Sequence, residues 1–290
     1  MKTGFVAIIG RPNVGKSTLL NNFINTKIAI VSDKPGTTRH QIKGIYNDSE
    51  TQIVFVDTPG IHKPKHQLGE KINKTAYQSI DGVDLILFIV DASLELGRGD
   101  LRIIEMLKKE PIPVILVLNK IDKIKKEKLF EKINQYKDLF DFKEIIPFSA
   151  LKEENKYLID IIKKYLIDET VYYPETQVTD QSEKFLISEI IREKVLILTE
   201  EEIPHAVTCL VESIEYRQKR LVITVMVIVD RDSLKRILIG KNGKMIKEIG
   251  TRARPEIEAL VKKPVFLELY VKVVEKWRDQ QHYLKEFGYE

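Results

Sequence analysis

Residues 10–17 read Gly10-Arg11-Pro12-Asn13-Val14-Gly15-Lys16-Ser17, the spacing G-x-x-x-x-G-K-S. No other stretch restricts the fold so far. Before it, Gly4-Phe5-Val6-Ala7-Ile8-Ile9 predicts a short buried strand; after it, apolar residues recur at helical spacing through Ile24. A loop from strand to helix turns backbone N–H groups inward, and the helix N-terminus adds partial positive charge. Gly10 and Gly15 allow a phosphate closer approach than a β-carbon would. Lys16 is expected at the outer phosphates and the Ser17 hydroxyl on Mg²⁺. Arg11, Pro12, Asn13, Val14 and Thr18 complete the expected cradle. A plain Gly-rich turn is the other reading, but it leaves the Lys-Ser pair at the helix start without a purpose.

The rest of the first half puts further motifs at strand ends. Ser32-Asp33-Lys34-Pro35-Gly36-Thr37-Thr38-Arg39 has the composition of a mobile loop. In nucleotide switches such a loop supplies a Thr that completes the Mg²⁺ shell when a γ-phosphate is present. Thr37 and Thr38 both qualify, and Thr38 is preferred. Strands are expected over about 41–48 and 51–57, the second ending in Asp57-Thr58-Pro59-Gly60. There the Asp57 carboxylate can serve Mg²⁺ and the Gly60 N–H a γ-phosphate, and Thr58 and Pro59 between them are expected at the nucleotide as well. Residues 61–69 are polar and irregular, a second switch. The apolar run 83–90 predicts a strand, 101–109 a helix, and 113–118 a strand delivering Asn119-Lys120-Ile121-Asp122. Asp122 can accept two hydrogen bonds from guanine that adenine does not offer. Lys120 would cover the base and Asn119 would tie this loop to residues 10–17. A helix over 126–140 and a strand over 145–148 follow. The strand ends in Ser149-Ala150, whose backbone can meet guanine O6, and a closing helix spans 157–166. Alternating strands and helices predict a mostly parallel sheet covered on both faces, with every motif at the carboxyl edge where such sheets bind ligands.

Residues 169–181 lack long periodicity and are expected to be a linker between units at 1–168 and 182–290. The second unit is expected to run helix (182–198), strand (205–215), strand (220–229), two helices up to about 262, then strand (265–273). The net charge of +4 says little about partners, but its distribution does. Residues 231–263 hold ten Lys/Arg against four Asp/Glu, a local charge of +6, so the remainder of the chain sums to −2. Such a cluster suits a polyanion or is a solvated helix face. Within it lies Gly240-Lys241-Asn242-Gly243, G-x-x-G, between two amphipathic helices. Cys209, the one cysteine, sits in an apolar stretch and cannot close an internal disulfide. Trp277 either stacks on a base or anchors the C-terminal tail, and anchoring is preferred.

The series G-x-x-x-x-G-K-S, Thr37-Thr38-Arg39, Asp57-Thr58-Pro59-Gly60, Asn119-Lys120-Ile121-Asp122 and Ser149-Ala150 resembles the translation-factor-like P-loop GTPases. The order α-β-β-α-α-β around Gly240–Gly243 resembles the type II KH domain, whose G-x-x-G loop admits single-stranded RNA. Together they resemble the Era family of ribosome-assembly GTPases over nearly the entire chain. The implied fold class is α/β, a P-loop GTPase domain with a mostly parallel sheet, followed by an α+β type II KH domain. The implied activity is hydrolysis of GTP to GDP and phosphate, with Mg²⁺ on Ser17, Thr38 and Asp57 and with Lys16, Thr38, Gly60 and Asn13 at the reacting end. Ile61 stands where Ras-like proteins place a water-orienting Gln. In related GTPases an Asn at the position of Asn13 helps hold K⁺; here Asn13 either does so or only hydrogen-bonds the loop. The implied RNA-binding residues are Arg236, Ile237, Ile239, Gly240, Lys241, Asn242, Gly243, Lys244, Met245, Ile246 and Lys247. The four apolar ones are candidates for either groove or core.

The resemblance further implies the 3′ end of 16S rRNA and the small ribosomal subunit as partners. It implies a cytoplasmic location with peripheral association at the inner face of the cell membrane, and a monomer is expected. The sequence runs from Met1 straight into its first apolar run, so no signal peptide is expected. No apolar run reaches the roughly 20 residues of a membrane-spanning helix. Two other classes stay open. One is a phosphotransferase using the same loop, against which Asn119–Asp122 argues. The other is a second unit that binds protein rather than RNA.

Overall fold

The computed structural model describes residues 1–290 except His62, Lys63, Lys65, Gln218 and Glu290. Three of these fall within the expected second switch, so that part of the expectation lies outside the described residues. The chain forms two compact units. One comprises Met1–Ala29, Thr38–Lys63 and Ile72–Asp180; the other comprises Ile30–Thr37, Pro64–Lys71 and Gln181–Glu290.

The first unit's strands are β1 (Lys2–Gly10), β2 (Ile42–Asn47), β3 (Thr51–Asp57), β4 (Leu85–Asp91), β5 (Val114–Asn119) and β6 (Glu144–Pro147). They form one sheet in the order β2-β3-β1-β4-β5-β6, parallel except for β2. Its helices are α1 (Lys16–Ile24), the part of α2 (Gln67–Gln78) from Ile72 onward, α3 (Arg98–Leu107), α4 (Lys126–Lys137) and α5 (Lys156–Ile162). The central strands are continuous apolar runs because both their faces are covered. Ala7, Ile9, Phe88, Val90, Leu116 and Leu118 pack with Ile80, Ile103, Ile104 and Leu107 on one side. Elsewhere Phe23 of α1 stacks on Phe55 of β3 with ring centroids 4.3 Å apart. The start of α2 falls where an irregular loop was expected. Its signal was Leu68, Ile72 and Ala76 at i, i+4 and i+8, all buried.

The segment expected as a linker is also ordered against this unit. The Ile45 N–H donates to the Val178 carbonyl, and the Thr179 hydroxyl to the Lys43 carbonyl. The Gln52 side chain accepts from the N–H groups of Tyr172 and Tyr173 and donates to the Tyr173 carbonyl. Residues 178–179 thus cover part of the edge strand β2, which would otherwise present unpaired backbone, while residues 172–173 are fixed to Gln52 of β3. Pairing of this kind runs through backbone groups, one glutamine and one threonine hydroxyl, so it leaves no hydrophobic period to read.

The second unit's main elements are α6 (Glu183–Leu198), α7 (Ile203–Ala206), β7 (Thr208–Arg217), β8 (Arg220–Val229), α8 (Asp232–Ile239), α9 (Lys244–Val261), β9 (Val265–Val273) and α10 (Gln281–Glu286). The sheet order is β7-β8-β9, with β7 antiparallel and β9 parallel to β8. The first strand begins at Thr208 rather than 205, because Pro204 opens a short helix there. The Ser182 hydroxyl caps α6 by accepting from the Phe185 N–H. Ile187, Ile191 and Val195 of α6, Leu238 of α8 and Ile249, Ala253 and Ile257 of α9 close the core over Val225 and Val227. Cys209 is part of that core. Trp277 is fully buried, donates its indole N–H to the Ala206 carbonyl at 3.0 Å and stacks on Tyr289, so it anchors the tail.

Candidate functional site

The first candidate site lies at the carboxyl edge of the parallel sheet. Gly15 adopts φ 103° and no side chain caps α1, so the helix's first N–H groups stay directed into the loop of residues 10–15. The Lys16 ammonium curls back to the carbonyls of Gly10 (3.1 Å) and Arg11 (2.9 Å). Burial lowers its pKa to about 8, against the opposing pull of Asp57. The Ser17 hydroxyl donates to Asp57 Oδ2 at 2.7 Å and lies 2.8 Å from the Thr38 hydroxyl. Thr37 instead donates to the Lys34 carbonyl, so the structure brings Thr38 and not Thr37 to Ser17.

Asp57 is fully buried, and among the described residues its Oδ1 has no hydrogen-bond partner. Burial raises its pKa to about 6 even though Lys16 and Ser17 pull the other way. A desolvated carboxylate with one unmet oxygen beside two hydroxyls is a donor set for a hard divalent cation. Ser17, Thr38 and Asp57 therefore fit Mg²⁺, which would neutralise phosphate charge there. The loop after Asp57 stays close by. A β-carbon on Gly60 would sit 2.6 Å from the Pro12 nitrogen, so only glycine admits this approach. Thr58 does not face the loop; its hydroxyl donates to the Ile8 carbonyl at 2.9 Å. The Arg11 side chain also turns away, to Asp100 at 2.9 Å.

At the other end, Asn119 joins three segments. Its amide donates to the Val14 carbonyl at 2.8 Å, and its Oδ1 accepts from the N–H groups of Lys120 and Ala150. Lys120 is held by the Asn13 carbonyl at 2.6 Å and by Asp91 at 2.7 Å. Burial would raise the Asp91 carboxyl, but bonds from Lys120 and Ser93 outweigh it and hold it below the usual range. Asp122 accepts from the Ser149 hydroxyl at 2.7 Å, and mainly that bond keeps it ionised well into acid. The backbone N–H of Ser149 donates to Glu153 and that of Ala150 to Asn119. The expected meeting of this backbone with guanine O6 thus finds both N–H groups engaged. Sequence reasoning passed over Asp91 and Glu153. Asp91 could have been found, since it ends an apolar strand beside the others.

The second candidate site lies in the second unit. Gly240, Asn242 and Gly243 have φ 70°, 52° and 74°, three positive-φ residues within the turn between α8 and α9. Beside it is a groove of about 370 Å³ lined by residues of α9 and β9, among them Ile246, Lys247, Arg254, Phe266, Leu267 and Leu269. Lys241, Lys244 and Lys247 are exposed around it. Of the four apolar candidates, Ile246 lines the groove. Ile239, Met245 and Ile246 pack partly on the core, and Ile237 is 52% exposed. The β9 wall was not singled out from the sequence. Its period-2 pattern puts Phe266 and Tyr270 outward, the only sequence trace of the groove's far side.

Residues 5–120 match the family model described as 50S ribosome-binding GTPase, and residues 202–278 match the KH domain model. Two solved structures are each 44% identical to this chain, covering 100% of it and 99% of their own chains. One is a variant of Aquifex aeolicus Era bound to GDP and aluminium fluoride, with a TM-score of 0.96. The other is Era in complex with MgGDPNP and nucleotides 1506–1542 of 16S ribosomal RNA, with a TM-score of 0.94.

Proposed function

This chain belongs to the Era family of GTPases, and we propose that it is a GTP-hydrolysing switch that binds the 3′ end of 16S rRNA and assists maturation of the small ribosomal subunit. The observation that carries the reading is the convergence of Ser17, Thr38 and Asp57 at the P-loop, with Asp122 and Ser149 paired at the guanine-reading end. Lys16 neutralises the β- and γ-phosphates, Gly60 offers its N–H to the γ-phosphate, and Asp122 accepts from guanine. Asn119 and Lys120 hold the base loop, with Asp91 fixing Lys120. The small subunit is favoured because the RNA in the related complex is 16S, whereas the 50S description belongs to a model of residues 5–120 alone.

In the second unit the G-x-x-G backbone and Lys241, Lys244 and Lys247 take phosphates, while Ile246, Phe266, Leu267 and Leu269 receive bases. GTP favours RNA binding, and by reciprocity RNA favours the GTP state. The test is a titration of RNA ending in the 16S 3′ sequence, with GDP and with a non-hydrolysable GTP analogue. Binding at least about tenfold tighter with the analogue is expected; equal binding rejects the coupling, and no binding turns the reading toward a protein partner. Gly243→Asp sharpens it. A β-carbon there meets nothing within 4 Å, so the carboxylate enters the phosphate cradle with only backbone strain as a structural cost. RNA affinity should fall about a hundredfold, with GTP turnover kept; unchanged affinity rejects the KH site.

Hydrolysis also needs its water oriented. Ile61 is buried in the sheet's core cluster and carries no hydrogen-bonding group. We therefore assign transition-state assistance to K⁺ held by Asn13. Turnover in K⁺ should exceed that in Na⁺ about tenfold or more, and Asn13→Ala should erase the difference. Equal rates in the two salts remove the idea. Among the described residues no helix is long and apolar enough to cross a membrane. The reading places a monomer in the cytoplasm, with any membrane association peripheral.

A further inference from the structure

We infer that Arg192, on α6 of the second unit, is a positioning residue for GTP hydrolysis, acting through the backbone of Thr37 on the neighbouring Thr38. The inference rests on the functional reading above, in which Thr38 serves Mg²⁺ when GTP is bound. Residues 30–37 belong to the second unit, and α6 holds them at both ends. At the start, Ile30 packs with Ile187, Ile190 and Ile191, and the Val31 N–H donates to Glu193 Oε1 at 2.9 Å. At the end, the Arg192 guanidinium donates to the Thr37 carbonyl.

Helix α6 is unusual for a helix in an apolar core. Ser188, Glu189, Arg192, Glu193 and Lys194 are all buried. Most of this polarity serves the segment. Glu189 accepts from Arg192 Nε at 2.7 Å and from its NH2 at 2.5 Å, which fixes the plane of the guanidinium. Lys194 pairs with Glu193 at 2.6 Å and also with Glu256, which fixes Glu193. Among the described residues Arg192 Nη1 has no hydrogen-bond partner. A fully buried guanidinium kept in place with one nitrogen unmet is costly, and among the described residues its one bond outside α6 goes to the Thr37 carbonyl.

The segment itself is short and self-bonded. Ser32 and Thr37 share a hydroxyl contact of 2.6 Å, Ser32 Oγ accepts from the Lys34 N–H, and Thr37 donates to the Lys34 carbonyl. With both ends fixed and the middle closed on itself, little freedom remains for Thr38 one peptide bond later. Its hydroxyl stands 2.8 Å from Ser17. Segment 64–71 offers a contrast. The His66 ring and the Gln67 backbone N–H bond to the exposed Asp279 carboxylate, a contact that water and salt screen, and Lys71 donates to the Tyr289 carbonyl at 2.9 Å.

The test uses Arg192→Met combined with Glu189→Gln, which removes the guanidinium without leaving a buried carboxylate unpaired. GDP affinity should stay within about threefold, because GDP offers no γ-phosphate for the Thr38 loop. The kcat for GTP should fall at least about tenfold. Arg192→Lys, which keeps the charge and one donor but loses the fork, should recover part of the loss. Unchanged kcat in the double variant, with GTP turnover normal in the unaltered protein, overturns the inference alone. Equal losses of GDP affinity and kcat also overturn it, since they mark a general structural role. Should the double variant fail to fold, Arg192→Lys decides: a lowered kcat at unchanged GDP affinity supports the inference, and wild-type kcat overturns it. No GTP turnover in the unaltered protein overturns the functional reading and the inference with it.

Discussion

Lys16→Ala should abolish GTP turnover, lowering it at least about a thousandfold, because the lysine is a buried cation at the phosphate end of the site. Its ammonium is held over the loop by the Gly10 and Arg11 carbonyls, and its charge is already strained by burial, with a pKa near 8. A phosphate placed beside it favours the charged form, and charge developing in the transition state gains most. Alanine leaves the loop's N–H groups and the helix terminus, so GDP binding should weaken less than turnover falls. Phosphate release under single-turnover conditions is the measurement. Turnover within threefold of the unaltered protein would remove Lys16 from the mechanism.

Asp122→Asn should invert base preference. In the proposed reading the carboxylate accepts from both guanine donors, and the Ser149 hydroxyl that bonds it favours its ionised form. Asparagine keeps an oxygen for Ser149 but turns one acceptor into a donor. That donor meets the guanine amino group head-on, whereas xanthine has a carbonyl at the same place. GDP affinity should fall at least about a hundredfold and xanthosine diphosphate affinity should rise, moving the ratio by about three orders of magnitude. Competition binding of the two nucleotides reads this directly. An unchanged preference would refute Asp122 as the reader of the base.

The nucleotide site was legible in the sequence because its chemistry is local. Strand, glycine-rich turn and helix follow each other without a gap from Lys2 to Ile24, so the P-loop's shape and composition are written in one stretch. Asn119 and Asp122 were legible for the same reason, at the end of one apolar strand. The position of Asp91 at the end of an apolar strand was legible too, but its partner was not, because Lys120 lies 29 positions away. Thr58 was expected at the nucleotide, but satisfying its buried hydroxyl takes it to Ile8 on the neighbouring strand. The covering of β2 by residues 178–179 left no period, since backbone groups make most of it.

The second unit divides the same way. Helix and strand order, the basic cluster and the G-x-x-G turn stand in the sequence, because periodicity and glycine position are properties of neighbouring residues. The groove's far wall on β9 does not, since it exists only once Val265–Val273 lies beside α9. The sequence by itself determined two successive folds and the chemistry of their loops, through hydrophobic period, glycine placement and charge at short range. The preference for Thr38 over Thr37 stood in the sequence, but only the tertiary structure brings Thr38 to Ser17 and assigns residues 30–37 to the unit that contains Arg192. Both depend on polar groups that meet across long stretches of chain, Thr38 with Ser17 and Arg192 with the Thr37 carbonyl, and no local pattern encodes such pairs.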